Sequence, residues 1–288
     1  KTILSSLKKP ETKFMKAKIA LLSGDGIGPE IMIQGLRILR ALAQKYGHEF
    51  KTTEGLIGGA AIDACGNPYP DETHQLCLDA DAILFGAIGD PKYDNDPSAK
   101  IRPEQGLLAM RKKLGLYANL RPVKTFESLF SKSPLKEDRL VGVDFMVVRE
   151  LTGGMYFGKP SEISEDGQNS VDTCRYSKDE IIRVAKMAFE LAQKSKKKLT
   201  LVDKANVLST SRLWRKTVQE MSPDYPEVEV EYLFVDNAAM QIILRPNQFD
   251  VMLTENLFGD ILTDEASVLP GSIGLQPSAS VGDKTAIF

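Results

Sequence analysis

Histidine and cysteine are scarce in this chain of 288 residues, which has two histidines and three cysteines. Cys65, Cys77 and Cys174 are far apart and form no CxxC pair, which argues against a thiolate metal site. Two histidines nearly exclude a zinc site or a catalytic triad built on imidazole. A sparse, odd set of cysteines fits a reducing cytoplasm. We therefore expect any catalysis to depend on carboxylate, lysine, arginine and tyrosine side chains.

Long apolar runs and an excess of either charge are also absent from the sequence. No apolar run approaches the length of a membrane span, and 37 basic against 39 acidic residues leave a net charge of −2. This balance does not indicate nucleic acid or an anionic membrane as a partner. A content of 42% hydrophobic and 26% charged residues is typical of a globular enzyme. The length suggests two domains or one large α/β unit.

The chain begins with Lys1 rather than with methionine. Residues 1–14 lack the apolar segment of a secretory signal peptide. We interpret these residues as an extension ahead of a natural start at Met15. A basic organelle presequence is the alternative that their composition leaves open.

Short apolar runs alternate with segments of helical periodicity along the chain. Val141–Val148 is almost continuously apolar, as in a central strand, whereas Met32, Leu36 and Leu39 keep the spacing of one helix face. This alternation predicts an α/β fold. The predicted strands are 18–22, 82–85, 141–148, 199–202, 228–235 and 251–253, and the predicted helices are 29–46, 103–114, 178–195, 211–221 and 257–269.

A hairpin and a capped helix are predicted near the middle of the chain. Met155–Lys159 and Ser170–Tyr176 both have strand patterns, and the Asp166-Gly167 dipeptide between them is a turn signal. Ser177 and Glu180 then match a capping box ahead of an apolar helical pattern. The two patterns together predict a protruding hairpin followed directly by a helix.

Asp260 and Asp264 lie four residues apart in a predicted helix and therefore share one of its faces. Two carboxylates arranged in this way repel each other unless a cation or an arginine lies between them. Because histidine and cysteine ligands are lacking, the cation would be Mg²⁺ or Mn²⁺, which prefer oxygen. Taken alone, the pair is more often explained as acidic residues that complement a helix N-terminus.

Other charged residues stand where predicted segments end. Arg149, Lys204 and Asp236 each follow a predicted strand, and ligands of open α/β sheets bind at the carboxyl ends of strands. Arg111, Arg121 and Arg149 could form a clamp for carboxylates, which guanidinium groups bind in bidentate fashion. Arg111 stands beside two lysines, however, and such a run is also typical of a solvated helix face.

Lys204 and Tyr156 are candidates for proton transfer. Burial near a metal ion and arginines would lower the pKa of Lys204, which could then act as a general base. The plainer alternative is a surface lysine at the start of a loop. Tyr156 lies at the base of the predicted hairpin, where a packing role explains it equally well.

The glycine-rich run Gly24–Glu30 follows the first predicted strand. It does not match the dinucleotide-binding pattern GxGxxG, because Pro29 stands where the last glycine is required. A loop whose backbone approaches a ligand closely is still compatible with these glycines. We therefore do not predict a Rossmann fold.

Taken together, five segments of the chain resemble the β-decarboxylating dehydrogenases, the family of isopropylmalate and isocitrate dehydrogenases. The resemblance covers about residues 15–288, with the long motifs in the same order. It implies an α/β fold of two domains with a mixed sheet shared by both. The segments are GDGIGPE (24–30), RPEQGLLAMRKKLGLYANLRP (102–122), VVRELTGGMYFG (147–158), VDKANVL (202–208) and NLFGDILTDEASVLPGSIGL (256–275).

The domain organisation that the resemblance implies is discontinuous. Residues 15–116 and 269–288 would form a large, cofactor-side domain, and residues 117–268 a small domain for dimerisation and metal binding. The hairpin, about 155–176, would be an arm between the subunits of a homodimer. The family continues beyond residue 288 with a loop that binds the adenosine half of NAD. We therefore expect a C-terminal truncation, with the complete protein active and this chain inactive.

The resemblance also implies residue roles. Arg111, Arg121 and Arg149 would bind the malate carboxylates, and Tyr156 would protonate the enol left when CO₂ departs. Lys204 of the partner subunit would take the proton of the C2 hydroxyl. The implied ligands of Mg²⁺ or Mn²⁺ are Asp260, Asp264 and Asp236 of the partner subunit, and the implied contacts of NAD are Ile27, Gly89, Asp90, Glu104 and Asn206.

The implied substrate depends on one segment, Glu104–Leu108. In isopropylmalate enzymes a leucine pair, here Leu107 and Leu108, packs on the isopropyl group, whereas isocitrate enzymes place Ser and Asn there to meet a third carboxylate. The resemblance therefore implies oxidative decarboxylation of 3-isopropylmalate in leucine biosynthesis. The alternatives are a related enzyme acting on tartrate, D-malate or homoisocitrate, and a non-catalytic regulatory subunit. The full set of tyrosine, lysine and aspartate candidates argues against the regulatory subunit.

Overall fold

The computed structural model describes residues 14–94 and 101–288. The chain divides into two compact units: the first ends at Met110 and takes in Ile287, and the second is formed by Arg111–Ala286 with Phe288. Residues 1–13 of the predicted extension lie outside the described residues, as do residues 95–100 of the loop expected near NAD. The division into a large and a small domain stays a prediction.

The α/β fold predicted from the alternating patterns is confirmed. Over the described ranges, no helix combines the length and apolar character needed to cross a membrane. The strands are β1 (Lys16–Gly24), β2 (Glu49–Glu54), β3 (Ala82–Ala87), β4 (Ala118–Lys124), β5 (Asp144–Glu150), β6 (Ser161–Ile163), β7 (Ser170–Asp172), β8 (Lys198–Asp203), β9 (Glu229–Phe234), β10 (Val251–Thr254), β11 (Ala279–Val281) and β12 (Ala286–Ile287). The helices are α1 (Gly28–Tyr46), α2 (Gly59–Cys65), α3 (Asp71–Asp79), α4 (Pro91–Asp94), α5 (Pro103–Lys113), α6 (Glu137–Leu140), α7 (Lys178–Gln193), α8 (Ser209–Met221), α9 (Val235–Leu244) and α10 (Asn256–Ser267).

The first unit is built on three parallel strands in the order β2, β1, β3, and Ile287 of β12 pairs with β3. Helix α1 packs Met32 against Ile19 and Leu21 of β1, as its helical spacing predicts. It ends at Gly47, whose left-handed backbone at φ 69° closes the helix. The β2 strand and helices α2 and α3 were not predicted. An edge strand such as β2, mostly exposed, lacks the apolar run that identifies a buried one.

Asp25, in the loop between β1 and α1, connects three segments of the first unit through hydrogen bonds of its carboxylate. Its side chain is buried, and its two carboxylate oxygens accept hydrogen bonds from the backbone N–H groups of Gly59 at 2.5 Å and Gly89 at 2.6 Å. One carboxylate thereby fixes the loop after β3 and the start of α2. The glycine before it, Gly24, has φ +74°, and a Cβ there would lie 1.9 Å from the carbonyl oxygen of Ala87, so a side chain is excluded.

The second unit contains a mixed sheet, in the order β11, β4, β5, β10, β8, β9. The β4 strand is antiparallel to both β11 and β5, and the remaining pairs are parallel. Alternate side chains of these strands enter two separate cores. Val148 and Leu201 pack with helices α7 and α8, whereas Val147 and Val202 pack with α9 and α10. Both faces of the sheet are therefore covered by helices, as near-continuous apolar strands predict.

Several predicted boundaries in the second unit are wrong. The β4 strand is not among the predicted strands, because Pro122 has no N–H to donate and argues against a strand. Its partner β11 pairs only with residues 118–120, so Pro122 lies beyond that ladder. Arg149 lies inside β5 rather than after the strand, and Asp236 lies in the first turn of α9.

The predicted hairpin exists, but its strands differ from the prediction. Its strands are β6 and β7, paired in antiparallel fashion, and Gly167 of the predicted turn has φ 67°. Residues 155–159 are not a strand: Gly154–Tyr156 form a 3-10 helix, because Gly154 with φ 72° interrupts extended backbone. The capping box of Ser177 and Glu180 at the start of α7 is confirmed.

We predict that Asp25→Ala lowers the free energy of unfolding by about 3 kcal/mol, because it leaves two buried N–H groups without a hydrogen-bond acceptor. Urea unfolding of the two proteins measures the difference. Asp81→Ala is the matched control, since the exposed Asp81 carboxylate accepts a single backbone hydrogen bond, from Lys18. Equal losses for the two variants would contradict the anchoring role of Asp25.

Candidate active site

Helix α10 presents three polar residues at intervals of four, Asn256, Asp260 and Asp264. Residues spaced in this way share one helix face, so the predicted common face of the two aspartates is confirmed. Glu255 caps the helix by accepting the N–H of Phe258 at 3.3 Å. Asn256 is buried, Asp260 is partly exposed and Asp264 is exposed. The face thus runs from the interior to the surface of the second unit.

The guanidinium of Arg149, near the end of β5, lies against this face of α10. Only 3% of the residue is exposed. Its Nε and Nη2 donate to Oδ1 of Asn256 at 3.1 and 2.8 Å, and its Nη1 donates to Oδ1 of Asp260. A buried cation is tolerated only when it is paired and hydrogen-bonded. Asn256 and Asp260 together supply that requirement for Arg149.

Tyr156 reaches the same aspartate from the 3-10 helix Gly154–Tyr156. Its hydroxyl donates to Oδ2 of Asp260 at 2.5 Å, and its ring centroid lies 5.8 Å from Cζ of Arg149. Burial, followed by the hydrogen bond to Asp260, raises the pKa of Tyr156 to about 12. The phenol therefore carries its proton at neutral pH and can donate it. The structure brings Arg149, Tyr156 and Asp260 together.

Arg111 and Arg121 lie within electrostatic range of Arg149. Burial, and then the positive charge of Arg149, lowers the pKa of Arg111 to about 10 and also lowers the pKa of Arg121. Arg121 Nε donates to Oδ1 of Asn119 at 3.0 Å. Arg111 Nε is buried and has no hydrogen-bond partner among the described residues. Three neighbouring guanidinium groups repel one another, and a bound dianion would relieve that repulsion.

Lys204 and Asp236 form a separate pair in the second unit. Lys204 Nζ lies 2.6 Å from Oδ1 of Asp236 and holds the pKa of that carboxyl below its ordinary value. In the part of the chain that the structure describes, no hydrogen bond or ion pair joins this pair to Arg149, Tyr156 or Asp260. The expected surroundings of Lys204, a metal site and arginines, are therefore not found within one chain.

The oxygen ligands for a divalent ion are likewise incomplete within one chain. Across residues 14–94 and 101–288, no three acidic, His or Cys side chains stand close enough together to hold a metal ion. Asp260 and Asp264 do offer two hard carboxylates one helical turn apart, which suits Mg²⁺ or Mn²⁺. The carboxylate oxygens of Asp260 and Asp264 therefore fit such an ion, which requires at least one further ligand besides these two residues.

The residues predicted to contact NAD and the isopropyl group lie mainly in the first unit. Ile27 is 56% exposed ahead of α1, and Asp90 accepts the backbone N–H of Lys92. Gly89 and Glu104 are exposed, and Leu107 and Leu108 are partly buried on α5. Asn206, also in the predicted set, is exposed just after β8 in the second unit. Their roles stay predictions.

Sequence reasoning missed Asn256, Glu150 and Gly259. Asn256 stands four residues before Asp260, the same spacing that identified the aspartate pair, so this signal was available. Gly259 had no such signal, although a Cβ there would lie 2.5 Å from Cγ of Arg149. The backbone of α10 at Gly259 is therefore the surface on which the Arg149 side chain lies.

We predict that Gly259→Ala displaces Arg149 and lowers the free energy of unfolding by about 1–3 kcal/mol through overpacking. Urea unfolding provides the measurement. Gly35→Ala in α1 is the matched control, since a Cβ there meets its nearest neighbour, Leu84, at an ordinary 3.5 Å. We expect that control to be neutral or stabilising. A Gly259→Ala protein as stable as the control would refute the close packing of Arg149.

Comparison with known proteins agrees with this geometry. A family model described as isocitrate/isopropylmalate dehydrogenase matches residues 18–288. The chain is 58% identical over 274 residues to a 3-isopropylmalate dehydrogenase of Bacteroides fragilis, which covers 95% of this chain and 77% of that protein. A 3-isopropylmalate dehydrogenase of Aquifex aeolicus is 54% identical over 275 residues, or 95% of this chain and 75% of that protein.

A solved structure supports the same assignment. The crystal structure of isocitrate dehydrogenase from Methylococcus capsulatus matches with a TM-score of 0.83 and 32% sequence identity, covering 94% of this chain and 76% of that chain. The resemblance carried by the five sequence motifs is thereby confirmed for both fold and family. The chain belongs to the isocitrate/isopropylmalate dehydrogenase family.

Proposed function

We propose that the full-length protein catalyses the NAD-dependent oxidative decarboxylation of 3-isopropylmalate to 4-methyl-2-oxopentanoate, a step of leucine biosynthesis in the cytoplasm. The observation that carries the proposal is the meeting of Arg149, Tyr156 and Asp260, with the charges of Arg111 and Arg121 nearby. The relatives at 54–58% identity bear the name 3-isopropylmalate dehydrogenase. Their name supports 3-isopropylmalate over the substrates of other family members.

The three arginines bind the two carboxylates of the malate skeleton. Arg149 is already oriented by Asn256, and Arg111 has an unsatisfied buried Nε. A dianionic substrate neutralises this excess of positive charge and aligns the C2 hydroxyl by bidentate contacts. Substrate binding is therefore also the event that stabilises the arginine cluster.

The chemistry proceeds in two stages. Lys204 of the partner subunit takes the C2 hydroxyl proton, and NAD⁺ held by the predicted contacts Ile27, Gly89, Asp90, Glu104 and Asn206 would accept the C2 hydrogen as hydride, so that C2 becomes a ketone. The bond from C3 to its carboxyl carbon then breaks with loss of CO₂, and Tyr156 donates its proton to C3 of the enolate that is left. A Mg²⁺ or Mn²⁺ ion held by Asp260, Asp264 and Asp236 of the partner subunit would polarise the C2 oxygen.

Leu107 and Leu108 favour an alkyl group over a third carboxylate in the substrate. A carboxylate against two leucines would be buried without a partner, at a cost of several kcal/mol. The leucine pair therefore favours 3-isopropylmalate over isocitrate. Rates measured with tartrate, D-malate and homoisocitrate distinguish it from these other substrates. Turnover of any of them would exclude the regulatory subunit.

A homodimer with shared sites completes the proposal. Among the described residues, Lys204 and Asp236 pair with each other and neither makes a hydrogen bond or ion pair with Asp260, which is what we expect if a second copy brings such a pair to this site. Exposed apolar side chains on α9 and α10, two helices in contact with each other, support that arrangement. Met240, Ile243, Leu244, Ile261 and Val268, the residue that follows α10, are each 43–58% exposed. Apolar surface of this kind marks protein interfaces.

We expect the full-length enzyme to reduce NAD⁺ with 3-isopropylmalate and Mg²⁺ far faster than with isocitrate, D-malate or tartrate. Absorbance at 340 nm follows the reaction. Lys204→Met removes the proposed base and should lower kcat by at least about 100-fold. A preference for another substrate would refute the assignment to Leu107 and Leu108, and no turnover at all would favour the regulatory subunit.

Mixed dimers test the shared site. Lys204→Met and Tyr156→Phe subunits are each expected to be nearly inactive, whereas their coexpression yields heterodimers with one intact site. About a quarter of wild-type activity should return, because half the dimers are mixed and one of their two sites is intact. Coexpression of two differently tagged Lys204→Met subunits is the control. No recovery in correctly formed heterodimers would mean that Lys204 and Tyr156 of one chain act together.

A further inference from the structure

Asn256, the first residue of α10, uses every polar atom of its side chain. The residue is 1% exposed. Its Oδ1 accepts two hydrogen bonds from Arg149, and its Nδ2 donates to the carbonyl oxygen of Gly153 at 3.1 Å. Its backbone N–H donates to the hydroxyl of Tyr176 at 3.0 Å. A single buried amide thus joins a substrate-binding arginine to the turn that precedes Tyr156.

The turn before Tyr156 is held from two sides at Gly153. Its carbonyl is bound by Asn256, and its N–H donates to Oε2 of the fully buried Glu150 at 2.8 Å. The next N–H, that of Gly154, donates to the carbonyl of Arg175 at 3.0 Å. Neither glycine could carry a side chain, because a Cβ at either position would lie 2.6 Å or less from the ring or hydroxyl of Tyr176. The backbone that leads into Tyr156 therefore has one defined path.

Asp260 also connects Arg149 to Tyr156, by hydrogen bonds to both, but its contacts are more easily broken than those of Asn256. Its carboxylate is partly exposed, with 38% of the side chain accessible, whereas Asn256 is closed to solvent. In the proposed function the Asp260 carboxylate also has to face a divalent ion, which competes with Arg149 and Tyr156 for the same oxygens. Asn256 has no competing partner and keeps its contacts in either case.

We propose that Asn256 is a positioning residue that couples the orientation of Arg149 to that of Tyr156. It fixes the carboxylate-binding guanidinium and the backbone of the proton donor relative to each other, independently of Asp260. This inference rests on the proposed function for the roles of Arg149 and Tyr156. Both polar atoms of the Asn256 side chain are engaged within the protein, so its proposed role is to position other residues.

A double-mutant cycle in the full-length enzyme separates positioning from mere structural support. Asn256→Ala should raise the KM for 3-isopropylmalate and lower kcat by about 10- to 100-fold, the cost of misplacing a catalytic group. In a Tyr156→Phe background the same change should lower kcat only slightly, since no proton donor is left to misplace. An equal kcat loss in both backgrounds would overturn the proposal, as would wild-type kcat for Asn256→Ala.

Two further variants keep the test decisive. Thr217→Ala removes another buried hydrogen bond, to Leu213 within α8, and should change stability without any coupling to Tyr156. If Asn256→Ala does not fold, Asn256→Asp takes its place in the cycle. It preserves volume and the acceptor for Arg149 but loses the donor to Gly153, so the predicted loss of kcat and its dependence on Tyr156 still hold.

A readout without turnover distinguishes this inference from the proposed function. The Nε–H of Arg149 can be followed by nitrogen-edited NMR, and it should exchange slowly in the wild type and rapidly in Asn256→Ala. If the wild type fails to oxidise 3-isopropylmalate, the proposed function fails, while this exchange difference would still support the positioning of Arg149. Equally slow exchange in both proteins would overturn the role of Asn256.

Discussion

The candidate active site depends on keeping one positive charge inside the protein. Arg149 is almost completely buried, and a buried guanidinium without partners would cost several kcal/mol. Three features of α10 remove that cost: Asn256 accepts two hydrogen bonds, Asp260 supplies a negative charge, and Gly259 leaves room for the aliphatic stem. The position of α10 against β5 follows from this interaction, and so does the position of Tyr156, which shares Asp260 with Arg149.

The electrostatics of the second unit are arranged for ligands with charge of both signs. Arg111, Arg121 and Arg149 concentrate positive charge, while Asp260 and Asp264 place two carboxylates beside them on one helix face. A dicarboxylate substrate suits the first group and a divalent cation suits the second, and each ligand reduces the repulsion within its own group. Arg149, which Asn256 holds, is fixed before the substrate arrives and does not need to reorganise during the reaction.

Sequence patterns predicted the parts of this fold that local rules determine. The buried strands β5, β8 and β10, the capping box of α7 and the aspartate pair of α10 each depend on residues a few positions apart. The β4 strand was not predicted because it contains Pro122, and the turn before Tyr156 was not predicted because the positive φ of Gly154 leaves no periodic signal in the sequence. Asn256 and Arg149 are 107 positions apart in sequence, so no local pattern could pair them. The two aspartates were correctly predicted to share a helix face, and the spacing of Asn256 places it on that face too, whereas its contact with Arg149 emerged only from the folded chain.

The most direct test of this account is a crystal structure of the full-length enzyme with 3-isopropylmalate and Mn²⁺, located by its anomalous scattering. We predict substrate carboxylates on Arg111, Arg121 and Arg149, and Mn²⁺ on Asp260 and Asp264 with Asp236 of the partner subunit. Arg149 should still be bound to Asn256. Substrate or metal bound elsewhere, with the Arg149–Asp260 ion pair intact, would contradict it.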